Sequence, residues 1–267
     1  MTNSRVILTT LAGRRDRMEI LLEYVLFLLK RNTISEYHIW DYAFSENDRE
    51  WIASLPALSD KIELHWGGSE RFDNYYDYYT AEEFGDAAFI KVDDDIVFVD
   101  VDRLAGFIEH RRNHPEIFLL SANIINNGVC AYYQQQQGVI PQELMRLQYP
   151  DNGFCGELWE SSSLAEKLHL YFLANRKKFS YPGIQFAPDR LSINFISYLG
   201  SDLLHIKGIR GDDEHALSLA IPASLDRKNY IYNQLTVSHL SFYSQESGLN
   251  HAMLLREYSA LQKNLCR

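Results

Sequence analysis

The run Phe89-Ile90-Lys91-Val92-Asp93-Asp94-Asp95-Ile96-Val97-Phe98 constrains this chain more than any other segment. A short apolar strand leads directly into three consecutive carboxylates, and apolar residues resume at once. Adjacent like charges repel one another, and desolvating them is costly. The apolar flanks place the triplet at the rim of a core. A hard divalent cation would remove the repulsion, and carboxylate oxygens suit Mg²⁺ or Mn²⁺. The carboxyl ends of strands are also where open α/β sheets take their ligands. In an extended or tightly turning segment alternate residues share a side, so Asp93 and Asp95 can converge while Asp94 points elsewhere. The plainer reading is a solvated loop or a helix cap, both of which favour aspartate.

The surrounding pattern alternates strand and helix. Val6 to Leu8 reads as a strand ending at Thr9-Thr10, and Asp16 as the cap of a helix running to about Lys30. His38–Tyr42 is a second strand, a short helix opens at Asn47, and Ile62–His65 is a third strand. Helical spacing of Phe72, Tyr75, Tyr76 and Tyr79 predicts a helix over Arg71–Phe84. Ala87–Val92 is the strand that delivers the aspartates, Leu104, Phe107 and Ile108 mark another helix, and Ile117–Ile125 is a further strand. Such alternation predicts an α/β fold with a mainly parallel sheet.

Beyond Asn126 the pattern loosens. Gln134–Gln137 reads as a loop, Asn152–Gly156 as a turn and Leu164–Phe172 as a helix. Ile209–Glu214 should end a strand and begin a short helix stopped by Pro222. Leu235–Phe242 alternates as a strand, and a last helix covers Leu249–Leu261.

With 267 residues, 46% of them hydrophobic and 23% charged, the chain can bury one sizeable core. A net charge of −10 leaves no basic stripe, so nucleic acid is not an expected partner. An acidic chain that handles an anionic substrate needs local positive charge, which again points to a metal. Cys130, Cys155 and Cys266 show no CxxC pairing, so reduced thiols and a cytoplasmic setting are expected. The N-terminus enters a strand pattern without a secretory signal. The stretch Ile20–Leu29 is interrupted by Glu23 and is about half a membrane span, so it reads as a buried helix. Peripheral contact at the inner face of a membrane stays open.

A strand, helix and strand followed by an apolar strand ending in Asp-x-Asp resembles the GT-A fold of nucleotide-sugar glycosyltransferases. The resemblance covers roughly residues 4–125 in layout and the rest only in isolated motifs. It implies one Rossmann-like domain over 1–267, with a nucleotide-sugar-binding half (1–125) and an irregular acceptor-binding and catalytic half (126–267). It implies that Asp95 is a metal ligand, that Asp93 contacts ribose or metal, and that Asp94 belongs with the cofactor-binding group. His239 resembles the late histidine that completes such metal sites. Thr9 to Arg14 resembles the nucleotide-binding edge, with Arg14 or Arg15 on phosphate, and Asp41 resembles the acid that reads the base. Gly211-Asp212-Asp213-Glu214-His215 lies where the family places an acidic motif, whose second acid deprotonates the acceptor hydroxyl in inverting members. Carried over, that acid is Asp213, with Asp212 and Glu214 as alternatives because many members have Glu-Asp there.

Each assignment has a plainer counterpart. Acids in a first helical turn complement the helix dipole. A histidine among apolar neighbours can be a satisfied core residue. Tyr75, Tyr76, Tyr78 and Tyr79 read first as packing and second as surfaces for sugar stacking, while Trp159 with the Gly153–Trp159 loop reads as an acceptor platform.

The expectation is a metal-dependent glycosyltransferase using Mn²⁺ or Mg²⁺. It would move a sugar from a nucleoside-diphosphate sugar to a glycan or glycolipid hydroxyl in surface polysaccharide or lipopolysaccharide assembly, with inversion. Three alternatives stand beside it. A nucleotidyltransferase would carry a glycine-rich N-terminal loop, and Leu11–Arg15 has one glycine. A metal-dependent phosphohydrolase would carry more His/Asp clusters than Asp212–His215. A metal-stabilised carbohydrate-binding module would need the triplet but not Asp213.

Overall fold

The computed structural model describes residues 5–67 and 72–263. Its N-terminal half is a parallel sheet in the order β3-β2-β1-β4, made of β1 (Val6–Ala12), β2 (Glu36–Asp41), β3 (Ile62–Trp66) and β4 (Ala88–Asp93). Parallel neighbours need crossovers. These are α1 (Arg15–Lys30), α2 (Glu46–Ser54), and the pair α3 (Asp73–Tyr78) and α4 (Ala81–Phe84). Met18, Leu21, Leu22, Val25, Leu28 and Leu29 all lie on the buried face of α1, as helical spacing requires.

The sheet continues past the aspartates as a mixed one. The reversal begins at β5 (Ile96–Val99), followed by α5 (Val101–Asn113) and the fully buried β6 (Ile117–Ile125). Then come α6 (Gly128–Gln136), α7 (Glu157–Glu160), α8 (Ser162–Asn175), β7 (Ile184–Ala187), β8 (Phe195–Leu199) and α9 (Leu203–Ile206). The chain closes with α10 (Asp213–His215), α11 (Ile221–Ser224), β9 (Lys228–His239) and α12 (His251–Gln262). Beyond β4 the order runs β8-β6-β9-β5, with β7 also on β9. The result is an α/β protein with a mixed sheet flanked by helices, in keeping with a Rossmann-like nucleotide-binding fold. Period-2 alternation sends Val6 and Leu8 into one buried cluster and Ile7 into another on the opposite face.

Four local expectations are corrected. The helix expected over Arg71–Phe84 is two short helices, broken where Tyr79 adopts extended backbone (ψ 130°); Arg71 itself lies outside the described residues. Extension there brings the Tyr79 hydroxyl to His38 and Trp40, which outweighs continuing the helix. Gln134–Gln136 is helical rather than a loop, because Gln134 donates to Asn123 and Ile124, and Gln135 bridges Met145 and Leu147. Pro222 does not end a helix: a π turn over Ala216–Ala220 precedes it and accommodates the ring and its missing N–H, and no strand forms ahead of Asp213. The first strand extends to Ala12, so Arg14 takes the cap position of α1 and Asp16 sits in its first turn. Cys130 and Cys155 are free thiols, and Cys266 lies outside the described residues. Among the described residues no helix is long and apolar enough to cross a membrane.

Candidate active site

β1 and β4 are parallel neighbours with Leu11 opposite Asp93, so the loop after β1 and the aspartate triplet share one edge of the sheet. Asp94 is turned into that loop. Its Oδ2 accepts the backbone N–H groups of Gly13 and Arg14, both at 2.7 Å, and its Oδ1 accepts Arg14 Nε at 2.9 Å. Burial pushes the Asp94 carboxyl upward, against the pull of Arg14.

Asp93 and Asp95 point elsewhere. Asp95 is buried, with Oδ2 at 3.1 Å from His239 Nε2 and 3.0 Å from Arg14 Nη1. Burial alone would raise its pKa, but His239, Arg14 and Arg17 hold it down at about 2. Asp93 ends β4, where Lys91 Nζ donates to Oδ1 at 2.9 Å and Asn194 Nδ2 to Oδ2 at 2.8 Å. His239 arrives because β9 pairs antiparallel with β5, setting it opposite Ile96.

One ligand atom from each of Asp93, Asp95 and His239 lies within 4.8 Å of the other two. Asp95 Oδ1 and His239 Nδ1 are buried with no hydrogen-bond partner among the described residues. Buried polar atoms are rarely left so. Two carboxylates and an imidazole with an orphaned carboxylate oxygen fit a hard divalent cation such as Mn²⁺ or Mg²⁺.

The acidic motif lies on the same edge. Asp212 caps α10 through His215 N and is gripped in a fork by Arg190 Nη1 and Nη2, both at 2.8 Å. Glu214 accepts Arg190 Nε at 2.6 Å. Asp213 instead accepts a neutral hydroxyl, that of Tyr76, at 2.8 Å. Burial raises the Asp213 pKa, while the nearby Lys91 ammonium opposes the shift. Burial raises Glu214 as well, against the pull of Arg190, whereas Asp212 is lowered; of the two raised acids, Asp213 is the one that Arg190 does not hold.

A cavity of about 210 Å³ lies against the acidic motif at Glu214. Phe154, Trp159, Arg190, Glu214, Phe242 and Tyr243 line it. Phe242 also packs on His239, with ring centroids 4.4 Å apart.

Other residues singled out in the sequence fall at different distances from this group. Asp41 ends β2, opposite Ala12, where it is buried and accepts Ala43 N at 2.9 Å. Arg15 pairs with Glu19 and covers Trp51. Thr9 is not brought to the edge: its hydroxyl bonds Tyr75 at 2.9 Å, and Tyr75 in turn bonds Tyr198. Tyr75, Tyr76 and Tyr79 are buried packing residues, and Tyr78 is exposed.

Arg17, Lys91, Asn194 and Arg190 carry no role in the sequence reading, and Tyr76 reads there as packing or sugar stacking rather than as the partner of Asp213. Lys91 had a signal: it is the one charge inside an apolar strand, two residues before Asp93 and therefore on the same face. The others converge only through tertiary structure.

The sequence matches no family model and no curated protein. Among solved structures, one similar in layout is 4-diphosphocytidyl-2C-methyl-D-erythritol synthase from Anaerococcus prevotii, with 10% identity, 97% of this chain and 96% of that chain covered, and a TM-score of 0.47. Another is CMP:2-keto-3-deoxy-manno-octonic acid synthetase complexed with CTP, with 8% identity, 97% and 98% covered, and a TM-score of 0.47. Neither match assigns chemistry to a residue of this chain.

Proposed function

We propose that the protein is a metal-dependent glycosyltransferase that moves a sugar from a nucleoside-diphosphate sugar to an acceptor hydroxyl, with inversion. The observation that carries the reading is the convergence of Asp93, Asp95 and His239 beside an unclamped, desolvated Asp213. Asp93, Asp95 and His239 would hold Mn²⁺ or Mg²⁺, which when bound supplies neutralisation of a diphosphate leaving group. Arg14, Arg17 and Lys91 add positive charge at the same edge. Asp213 takes the proton of the attacking hydroxyl. The aromatic cavity beside it receives the acceptor, a glycan or glycolipid, consistent with surface polysaccharide assembly and with contact at a membrane face. Residues 1–125 serve the donor and residues 126–267 the acceptor.

A second reading is nucleotidyl transfer from a nucleoside triphosphate to a sugar substrate. The same three cations favour it, since a triphosphate carries more charge to neutralise at that edge. The two readings differ in product. Incubation with nucleoside-diphosphate sugars and Mn²⁺ should release nucleoside diphosphate and form a glycoside. Release of pyrophosphate from a nucleoside triphosphate in its place would select the second reading. No metal-dependent stabilisation by either nucleotide class would sink both.

A further inference from the structure

A second convergence of metal-ligating side chains lies two strands away from the triplet, at the outer edge of the parallel half. β3 ends the strand order there, and His38 on β2 is opposite Glu63 on β3. Period-2 alternation puts His65 on the same face as Glu63, and Glu36 on the same face as His38. We propose that His38, Glu63 and His65 form a transition-metal site that takes Zn²⁺, distinct from the Asp93–Asp95–His239 group.

The ligand atoms of these three residues all lie within 4.8 Å of one another. His38 Nε2 is 3.5 Å from Glu63 Oε2, and His65 Nε2 is 3.4 Å from Glu63 Oε1. The His65 side chain is only 8% exposed. Its Nε2 is buried with no hydrogen-bond partner among the described residues. A buried imidazole nitrogen aimed at a carboxylate without bonding it is costly unless something else bonds it.

The rings are held for this purpose. Trp40 stacks on His65 at 4.7 Å with an interplanar angle of 16°, and Tyr78 packs against it at 4.5 Å. The Tyr79 hydroxyl lies 2.8 Å from His38 Nδ1, which fixes that ring with Nε2 toward Glu63. Histidine ligands characteristically bond an outer partner through the other ring nitrogen. Glu36, gripped in a fork by Arg5, borders the group with Oε2 in a 3.2 Å hydrogen bond to His38 Nε2, which a metal ion at Nε2 would displace. Glu63 is 52% exposed, which leaves an entry path from the sheet edge.

Two imidazoles and a carboxylate are a borderline-soft set that suits Zn²⁺, whereas two carboxylates and one imidazole suit a harder ion. Zinc at this position would tie the edge strand to its neighbour.

The test is Zn²⁺ titration of chelator-stripped full-length protein, read by calorimetry and by bound-metal analysis, in wild type, His65→Gln, Glu63→Gln and Asp95→Ala. The expected result is Zn²⁺ uptake that survives Asp95→Ala and weakens at least about tenfold in both His65→Gln and Glu63→Gln. Cobalt substitution should give the visible bands of a four-coordinate nitrogen–oxygen site in wild type and in Asp95→Ala. Glu63 is exposed, so Glu63→Gln keeps the test informative if His65→Gln fails to fold. No uptake by wild type, or uptake unchanged by both edge-strand variants, overturns the proposal, as does uptake lost only in Asp95→Ala.

Discussion

Asp94 and Arg14 are locked together across the carboxyl edges of β4 and β1, with both Asp94 oxygens occupied by donors from Gly13 and Arg14. The middle aspartate therefore fastens the first loop to the fourth strand, while its neighbours face the candidate metal site. Asp94→Ala should cost about 2–3 kcal/mol in urea unfolding without metal, allowing for the part-exposed guanidinium. Asp95→Ala should instead abolish the Mn²⁺-dependent rise in melting temperature given by a nucleoside-diphosphate sugar. For wild type at ligand a hundredfold above its Kd, that stabilisation is about 2.7 kcal/mol. Equal behaviour of the two variants in both measurements would contradict this division.

The acids of the Asp212–Glu214 motif should separate kinetically. Asp213→Asn is expected to lower kcat by ~10²–10⁴ while leaving donor affinity unchanged, the loss typical of a missing general base. Asp212→Asn should cost far less in kcat, since that carboxylate caps a helix and is held by Arg190. Tyr76→Phe removes a hydrogen bond that favours ionised Asp213, so the acidic limb of the pH–rate profile should move to higher pH. A limb that stays in place would remove Asp213 from the role of base.

Much of this arrangement is legible in the chain, and the remainder is not for physical reasons. Period-2 reasoning separates Asp94 from Asp93 and Asp95, because a strand's geometry is local. The same reasoning applied to Lys91 would have found its pairing with Asp93. Arg190 and Tyr76 have no such signal. They meet the Asp212–Glu214 motif across 22 to 137 residues of sequence. Thr9 reads as part of a binding edge because the strand is expected to stop there, yet β1 continues to Ala12 and leaves Thr9 inside the core. Gln134 and Gln135 look like loop residues because their helical value depends on amide partners supplied by β6 and the 145–147 segment.

Gly153 should be intolerant of a side chain. It has a φ of +72°, and its backbone lies so close to Arg190 that a Cβ would overlap the Arg190 carbonyl oxygen. Arg190 is the clamp on Asp212 and Glu214 and also covers Phe154 at 4.2 Å. Gly153→Ala should lower stability by more than about 1 kcal/mol and reduce turnover with it. Thermal melts and initial rates on the same preparation check this. A variant that melts like wild type would show that the 152–156 loop yields without disturbing Arg190.

His169 supplies a stability switch away from the candidate chemistry. It is fully buried, with Nδ1 at 2.8 Å from the Tyr258 hydroxyl and Nε2 at 2.8 Å from the Leu240 carbonyl. The carbonyl can only accept, so Nε2–H donates to it, and Nδ1 accepts from Tyr258. Protonating Nδ1 would force that second bond to reverse, with Tyr258 turning its own proton to Ser238, and would bury a charge. Burial accordingly lowers its pKa from 6.5 to about 4. The neutral folded form thus contributes stability that is present above pH 6.5 and is lost as pH falls toward 4, up to about 3 kcal/mol over that window. His169→Gln should be less stable than wild type at pH 7.5, and its urea midpoint should fall less steeply between pH 6.5 and 4.5. Parallel pH dependences in the two proteins would show that His169 is not the titrating group.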